Sequence, residues 1–283
     1  MREYILTLSC PDSVGIVAAV SSFLAVSDCN IKDSAQYGDG ETGLFFMRVS
    51  FYAGENAPDS NTLRASFEAT ARRFGMDWSM TDAKTRCRVL IMVSRQGHCL
   101  NDLLYRYRIG ALQADIAGIV SNHETFSDLA AWCKIPFYHL PVTPETKTAQ
   151  EKKLLEIVAK ENVDLVVLAR YMQILSPELC QALAGKCINI HHSFLPSFKG
   201  ANPYRQAHAR GVKLIGATAH YVTGDLDEGP IIEQEVERVD HSQTPEELAA
   251  IGRDVENIVL ARAVRLHIER RVLRNGNKTV ILR

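Results

Sequence analysis

Asn189, His191 and His192 stand at the end of an apolar run, in the segment NIHHSFLPSFKGANPY that extends from Asn189 to Tyr204. Because successive side chains of a strand point to opposite faces, Asn189 and His191 share one face and His192 points to the other. The two histidines are therefore not expected to chelate one metal ion together. An amide and an imidazole on one face can both donate hydrogen bonds to an oxygen that becomes negative during a reaction.

A second polar segment, HYVTGDLDEGPII, follows further along the chain and supplies His220, Asp225 and Asp227 before a Gly-Pro turn. A carboxylate can set the tautomer of an imidazole and can take up or relay a proton. Imidazole and amide groups can stabilise the oxyanion of a tetrahedral intermediate. Together the two segments predict acyl-transfer chemistry that uses no side-chain nucleophile.

These residues also allow two other interpretations. Ser193 could act as a nucleophile, but the GxSxG pattern of a strained nucleophile elbow is absent, so we expect a structural serine. His191, His220 and Asp227 could form a His/His/carboxylate metal site. We expect no metal, because Asn189 would be an unusual ligand, and activity that resists a chelator would decide the question.

Alternating strands and helices are needed to bring the two segments together. The polar stretch Thr81–Arg86 marks a domain boundary and predicts domains at residues 1–83 and 86–283. Strands are predicted at Arg88–Val93, Asp115–Ser121, Phe137–Leu140, Leu165–Ala169 and Cys187–His191. Helices are predicted at Leu100–Tyr107, Phe126–Cys133, Ala149–Glu161 and Pro177–Leu183, and the chain ends with an antiparallel extension at Thr218–Val222 and Ile231–Val239, a long helix at Glu246–Leu273 and a strand at Thr279–Leu282. This alternation predicts an α/β fold with a doubly wound, mostly parallel sheet that binds its ligand beyond the carboxyl ends of the strands.

The front of the chain has a different pattern. Strand-type and helix-type periodicity alternate in the order βαββαβ, which predicts a ferredoxin-like sandwich of one sheet and two helices. The predicted elements are Glu3–Ser9, Val14–Ala25, Asn30–Gln36, Leu44–Phe51, Thr62–Phe74 and Met76–Met80.

Composition excludes several classes of protein. The 283 residues carry a formal net charge of −1, which gives no electrostatic reason to expect a nucleic-acid partner. No apolar run is long enough to predict a membrane span, and the first residues lack the pattern of a signal peptide. These features predict a cytoplasmic protein. The seven cysteines, without a CxxC pair, predict reduced and mostly buried thiols.

The segments NIHHSFLPSFKGANPYRQA and GATAHYVTGDLDEGPII together resemble the signature of the formyltetrahydrofolate-dependent formyltransferase family, over about residues 86–283. The resemblance implies that Asn189, His191 and Asp227 are the catalytic residues. It also implies a formylated folate as substrate and no separate cofactor. The segment LARYMQILS resembles the family's folate-contacting stretch, and the implied substrate-binding residues are Tyr171, Gln173, Leu175, His220, Thr223, Gly224 and Asp225.

The branch of the family is indicated by the turn after the first strand of the second domain. There the sequence reads SRQGHCLNDLL, with Arg95, Gln96 and His98 where glycinamide ribonucleotide transferases have a glycine-rich turn that binds phosphate. His192 stands where the transferases usually have proline. These features resemble the branch in which water replaces the amine, which implies hydrolysis of 10-formyltetrahydrofolate to formate and tetrahydrofolate and a role in balancing one-carbon pools for purine synthesis. Formyl transfer to an amine such as glycinamide ribonucleotide remains the alternative, and a metal-dependent hydrolase or an amino-acid-sensing regulatory protein is less favoured.

The front segment LSCPDSVGIVAAVSSFLAVSDCNI resembles an ACT domain, a module that commonly binds small amino acids where two copies meet. The resemblance implies a homo-oligomer with an effector site that includes Asp12, Gly15 and Asn30. The turn before the first helix offers free N–H groups that suit a carboxylate. Gly15 could equally serve only to pack the helix on the sheet.

Overall fold

The computed structural model describes residues 2–196 and 203–283, so residues 197–202 of the first polar segment lie outside the description. The chain forms two compact units. The first holds the residues up to Arg86 together with Glu269–Asn275 and Thr279–Arg283, and the second holds Cys87–Ile268 and Gly276–Lys278.

The first unit has the predicted βαββαβ order. Its elements are β1 (Arg2–Pro11), α1 (Ile16–Val26), β2 (Cys29–Asp39), β3 (Leu44–Ala53), α2 (Ser60–Phe74) and β4 (Asp77–Asp82). The strands pair in the antiparallel order β2-β3-β1-β4, the arrangement of a ferredoxin-like sheet. Every second residue of β1 is buried, and the buried stripes of α1 and α2, which include Val20 and Phe67, belong to the same hydrophobic cluster. The period-2 and period-3.6 patterns in the sequence therefore do correspond to one sandwich core.

The C-terminal residues differ from the prediction. The last long helix ends at Ile268 rather than Leu273, and Arg270 has a φ of 56°, a left-handed conformation that cannot continue a helix. Val272–Asn275 then forms a strand that the sequence did not indicate, and it pairs with Lys278–Ile281. The residues of this hairpin pack on Phe46 through Val280 and Leu282, so they belong to the first unit and not to the domain predicted at 86–283.

The second unit is a seven-stranded α/β sheet. Its elements are β5 (Cys87–Val93), α3 (His98–Arg108), β6 (Ala114–Ser121), α4 (Ser127–Trp132), β7 (Phe137–His139), α5 (Lys147–Lys160), β8 (Leu165–Leu168), α6 (Pro177–Ala182), β9 (Cys187–His191), α7 (Pro203–Ala209), β10 (Leu214–Tyr221), β11 (Ile231–Arg238) and α8 (Pro245–Ile268). The two strands of the C-terminal hairpin described above are β12 (Val272–Asn275) and β13 (Lys278–Ile281). The order is β11-β10-β9-β8-β5-β6-β7, in which β9 to β7 run parallel and β10 and β11 run antiparallel. The predicted doubly wound sheet with an antiparallel extension is confirmed.

The winding of the chain creates a crevice between two central strands. From β5 the chain proceeds outward through β6 and β7, and then returns to the other side of β5 to form β8 and β9. The winding direction therefore changes between β5 and β8, and sheets of this kind bind ligands beyond the carboxyl ends of the strands at such a point. Both predicted polar segments follow or flank the strands on the β8 side.

Two further expectations bear on the class of protein. Among residues 2–196 and 203–283, no helix has the length and apolarity needed to cross a membrane. All seven cysteines are free thiols, and six of them are buried while Cys133 is partly exposed.

Candidate active site

Strands β9 and β10 bring an amide and an imidazole face to face. Asn189 lies directly opposite His220 in the antiparallel register, and Nδ2 of Asn189 is 3.3 Å from Nε2 of His220. The other ring nitrogen of His220, Nδ1, lies 2.9 Å from the backbone oxygen of Tyr221. A carbonyl oxygen can only accept a hydrogen bond, so Nδ1 carries the proton and the neutral ring leaves Nε2 as the acceptor for Asn189.

The charge state of His220 follows from its surroundings. Burial lowers the pKa of His220 below its usual value, and the nearby charge of His191 lowers it further. The hydrogen bond to Tyr221 and the charge of Asp227 oppose this change without reversing it. A neutral His220 accepts one amide hydrogen of Asn189 and leaves the second for another partner.

Asp227 is placed by a loop that only certain residues permit. It has a φ of 57°, an uncommon left-handed conformation for a residue with a side chain. Two residues later, the missing side chain of Gly229 allows the loop to lie against β10, where an added Cβ would overlap the backbone oxygen of Tyr221. The Gly-Pro turn of the sequence thus sets the approach of Asp227 to the strand.

The carboxylate of Asp227 lies between the rings of His191 and His220. Its Oδ2 is 3.3 Å from Nδ1 of His191, and its Oδ1 is 3.8 Å from Nε2 of His220. Burial acts to raise the pKa of Asp227, but the hydrogen bond and charge of His191 and the charges of the neighbouring histidines outweigh it, and the pKa lies below its usual value. The carboxylate is therefore ionised at neutral pH.

His191 has one ring nitrogen to spare. Nδ1 contacts Asp227, whereas Nε2 is buried and has no hydrogen-bond partner within the described part of the chain. A buried polar atom without a partner costs free energy unless a ligand or water binds it. Nε2 is thus the atom of His191 that a substrate can engage.

The loop after β9 is held from the strand next to it. Thr218, opposite His191 in the register, accepts a hydrogen bond from the backbone N–H of Leu195 at 3.0 Å and donates one to the backbone oxygen of Ser193 at 2.9 Å. Ser193 is buried. These contacts are consistent with the structural part expected of Ser193.

A cavity of about 340 Å³ opens beside these groups. One part of its lining is apolar and belongs to the hydrophobic cluster around β8, through Leu168, Tyr171, Leu175 and Val222. Burial raises the pKa of Tyr171 to about 12, so its hydroxyl is protonated, and it accepts a hydrogen bond from Gln150 at 3.2 Å. An apolar wall next to a small polar group suits a planar heterocycle that carries a reactive acyl group.

The structure brings the residues predicted for catalysis and substrate binding into this one cavity. Its lining includes Tyr171, Gln173, Leu175, Asn189, His191, His220, Thr223, Gly224, Asp225 and Asp227. The two sequence segments meet because β9 and β10 are neighbours in the sheet.

The residues predicted for an effector are not brought together within one chain. Asp12 lies beside Gly38, near one end of β2, whereas Asn30 pairs with Tyr52 near the other end. At about 3.3 Å per residue, the eight steps from residue 30 to residue 38 span about 26 Å. Gly15 precedes α1 with a φ of 97°, and Asn30 lines a separate cavity of about 200 Å³. The three residues therefore do not meet within one chain, and the effector site expected where two copies meet stays a prediction.

The metal alternative is not favoured by the geometry. Among the residues described, the His/Cys/Asp/Glu group whose ligand atoms all lie within 4.8 Å of one another consists of His98, Cys99 and Glu256. The metal site considered from the sequence used His191, His220 and Asp227 instead. Burial raises the pKa of Cys99 far above its usual value, so it is a thiol rather than the thiolate that binds metals. Glu256 already accepts a hydrogen bond from His98 at 2.8 Å.

Comparisons with known proteins agree with this site. The family model described as "Formyl transferase" matches residues 87–264. The chain is 50% identical over 282 residues to the formyltetrahydrofolate deformylase of Corynebacterium sp. (strain P-1), covering 99% of this chain and 98% of the relative. It superposes with a TM-score of 0.96 on the crystal structure of the formyltetrahydrofolate deformylase from Burkholderia mallei, at 54% identity over the whole of both chains.

The chain belongs to the formyltetrahydrofolate deformylase family. A glycinamide ribonucleotide transformylase from Symbiobacterium toebii is also similar, with a TM-score of 0.66 and 32% identity, but this similarity covers only 70% of the present chain against 95% of that one. Members of the deformylase family therefore share a sheet with transferases and extend beyond it.

One cluster of polar side chains around the buried Arg170 and Glu256, beside the cavity, was not predicted as a site. We call it the Glu256 network, and it consists of Gln96, His98, Arg170, Tyr204 and Glu256. Glu256 accepts hydrogen bonds from His98 at 2.8 Å and from the Tyr204 hydroxyl at 2.7 Å, and its Oε2 lies 3.5 Å from Nε of Arg170. Burial acts to raise the pKa of Glu256, but His98, Arg170 and Tyr204 together lower it below its usual value. Glu256 lies on α8, far along the sequence from the other site residues, so no local spacing could have indicated this cluster.

Proposed function

We propose that this chain hydrolyses 10-formyltetrahydrofolate to formate and tetrahydrofolate. The observation that carries the proposal is the arrangement of Asn189, His191 and Asp227 at the polar side of a largely apolar cavity, in a member of the deformylase family. The apolar side accepts the pteridine ring, and the polar side receives the formyl group on N10.

In the proposed mechanism Asp227 orients the attacking water. Its Oδ2 binds Nδ1 of His191, and its Oδ1, with His220 at 3.8 Å, is the oxygen that accepts a hydrogen bond from the water. The lowered pKa of Asp227 makes it a weak base. It therefore accepts the proton only as the water oxygen bonds to the formyl carbon, because the water becomes more acidic as that bond forms. The product of this step is a tetrahedral intermediate with a negative oxygen.

Asn189 and His191 stabilise that oxyanion and complete the reaction. The free amide hydrogen of Asn189 and the Nε2 proton of His191 donate to the oxygen, and the ionised Asp227 balances the positive charge of a doubly protonated His191. When the bond between the formyl carbon and N10 breaks, N10 takes a proton from His191. The proton that Asp227 took from the water then replaces the one that His191 gave to N10. One water is consumed, formic acid ionises to formate, and tetrahydrofolate carries the proton on N10.

A single assay tests the reaction. The protein is incubated with 10-formyltetrahydrofolate in the presence and absence of glycinamide ribonucleotide, and formate and formylated amine are measured. Formate released without an acceptor is the expected result. Faster formylation of the amine than release of formate would replace the proposal with a transferase, and a chelator such as EDTA is expected to leave the rate unchanged.

We further propose that the first unit pairs with a second copy of itself and binds a small amino acid at their contact. Support comes from its βαββαβ sheet with β2 at the edge, and from the turn at Asp12 and Gly15, which precedes α1. Because Asn30 is distant from Asp12 in one chain, it would complete the site only from the other copy. In this arrangement control of the hydrolase limits the loss of a one-carbon donor used for purine synthesis in the cytoplasm.

Titration calorimetry with glycine and then methionine tests the effector, together with formate release at each amino-acid concentration. Coupling between two sites typically changes ligand affinity by about 5–150-fold. Asp12→Ala should abolish binding, whereas Asp77→Ala, at another exposed aspartate of the same unit, should not. If no amino acid binds the unmodified protein, the first unit serves only for association.

A further inference from the structure

This chain is similar in structure both to a deformylase and to a transformylase. Residues outside the catalytic set must therefore decide which nucleophile reaches the formyl group. The crevice between the carboxyl ends of β5 and β8 is where such a sheet offers room for a second ligand. In this chain, that crevice is bridged. The backbone N–H of Ser94 donates to the backbone oxygen of Arg170 at 3.2 Å, and the N–H of Met172 donates to Oγ of Ser94 at 2.9 Å.

The side chain of Arg170, whose backbone forms part of this bridge, is buried. Its Nε and one terminal nitrogen donate to Oε1 of Gln96 at 3.2 and 2.9 Å, so the exposed Gln96 covers it from the surface. Arg170 is 6% exposed and has a φ of 66°, which directs it away from the course of a regular strand. Arg170 also lines the cavity that holds the catalytic groups.

Glu256 holds the guanidinium in place. It is 1% exposed, and both of its carboxylate oxygens accept hydrogen bonds, one from His98 and one from Tyr204. Tyr204 reaches Glu256 because Gly252 has no side chain, since a Cβ there would overlap the tyrosine ring. A buried pair with this many partners resists displacement, because removing one member leaves an uncompensated charge.

His192 joins the Glu256 network to the catalytic groups. Its ring centroid lies 5.1 Å from that of His191 and 6.4 Å from that of Tyr204, and it lines the same cavity as Arg170. The side of the cavity next to His191 is therefore bounded by an imidazole and a guanidinium that are both held by buried neighbours.

We propose that the Glu256 network excludes amine acceptors, so that water is the nucleophile that reaches the formyl carbon. This inference rests on the proposed hydrolysis and names the residues that give it its specificity. In hydrolysis the water oxygen bonds to the formyl carbon, the bond to N10 breaks and N10 gains a proton. In transfer an amine nitrogen forms the bond instead and loses one proton, while N10 again gains one. Whether hydrolysis or transfer occurs therefore depends on whether a group larger than water fits next to the formyl carbon.

The test opens the network without leaving a buried charge. The variant Arg170→Ala/Glu256→Gln removes both charges and keeps hydrogen-bonding atoms for His98 and Tyr204. The matched control is Arg88→Ala/Glu161→Gln, because Arg88 and Glu161 form an ion pair of the same 3.5 Å length in the same unit, Glu161 accepts a hydrogen bond from Tyr138, and none of these residues lines the cavity. Each protein is given 10-formyltetrahydrofolate and increasing glycinamide, a small primary amine, and formate and N-formylglycinamide are measured by mass spectrometry.

The expected result is a ratio of formylated amine to formate that rises about tenfold or more in the network variant, a size typical of discrimination by pocket shape. The unmodified protein and the control should release formate with little formylated amine. If the double variant does not fold, as judged by circular dichroism, Gln96→Ser removes the exposed cover alone and should raise the ratio in the same direction.

Three results would overturn the inference. These are an equal ratio in the unmodified protein and in the folded variant, an equal rise in the control, and formate release by the folded variant with no formylated amine at any glycinamide concentration. Failure of the proposed hydrolysis has a separate signature, because the unmodified protein would then release no formate when the amine is absent.

Discussion

Asp227 and Glu256 are two ionised carboxylates beside histidines, yet their surroundings differ in one decisive respect. Both oxygens of Glu256 accept hydrogen bonds, and the side chain is 1% exposed. Asp227 binds His191 through one oxygen, its other oxygen lies 3.8 Å from His220, and its side chain is 15% exposed to the cavity and solvent. A carboxylate whose two oxygens both accept hydrogen bonds from the protein stabilises the structure. A carboxylate with one oxygen still available can bind a reactant.

The sharpest test of this comparison replaces each carboxylate by its amide. Asp227→Asn should lower kcat about 10²–10⁴-fold, because the water and His191 lose their proton acceptor. Glu256→Gln should lower kcat far less, but should reduce the free energy of unfolding by about 1–3 kcal/mol through its weakened hydrogen bonds. Steady-state formate release and chemical denaturation measure the two effects. Similar kinetic losses in the two variants would remove the distinction between them.

The next largest effect is expected at His191. His191→Ala should lower kcat about 10²–10³-fold, since an oxyanion donor is lost, while binding of the folate remains. His208→Ala, at an exposed histidine on α7, is the control. Folate affinity measured by fluorescence separates a loss of substrate binding from a loss of oxyanion stabilisation. A loss of binding that equals the loss of turnover would contradict the assigned role.

The loop that carries Asp227 can be tested through its glycines. Gly229→Ala should reduce the free energy of unfolding by about 1–3 kcal/mol, because the added Cβ overlaps the Tyr221 carbonyl. Gly224→Ala in the same loop adds a Cβ in open space, and should change the stability by no more than about 0.5 kcal/mol. Thermal and denaturant unfolding provide the measurement. Equal losses at the two positions would show that the close approach at Gly229 does not matter.

The last prediction concerns pH. Burial, aided by the charges of Arg170 and His191, lowers the pKa of His192 from 6.5 to about 4. As the pH falls below 6.5 the unfolded chain takes up this proton first, so stability is lost between pH 6.5 and about 4, by no more than about 1.4 kcal/mol per pH unit. His192→Gln should flatten this dependence and the exposed His208→Gln should not. An unchanged slope in the His192 variant would show that other groups cause it.

Much of the fold could be predicted from local patterns. The buried runs of β5, β8 and β9 and the alternation of β1 are properties of a few consecutive residues, and they indicated both sheets with their strand ends displaced by a few residues. The same periodicity placed Asn189 and His191 on one face. The short strand Val272–Asn275 was missed because its first two residues, Val272 and Leu273, continue the apolar pattern of the preceding helix.

The local architecture, the family resemblance and the side chains available for acyl chemistry can all be read from the order of the amino acids. The tertiary structure alone decided which of them meet. Glu256 and His98 are 158 positions apart, and Asn275 and Asp39, which share a hydrogen bond in the first unit, are 236 apart. Periodicity reports only the neighbours along one element, whereas contacts at such separations depend on the order in which strands and helices pack. For this reason the proposed catalytic residues could be predicted from two short segments, and the Glu256 network could not.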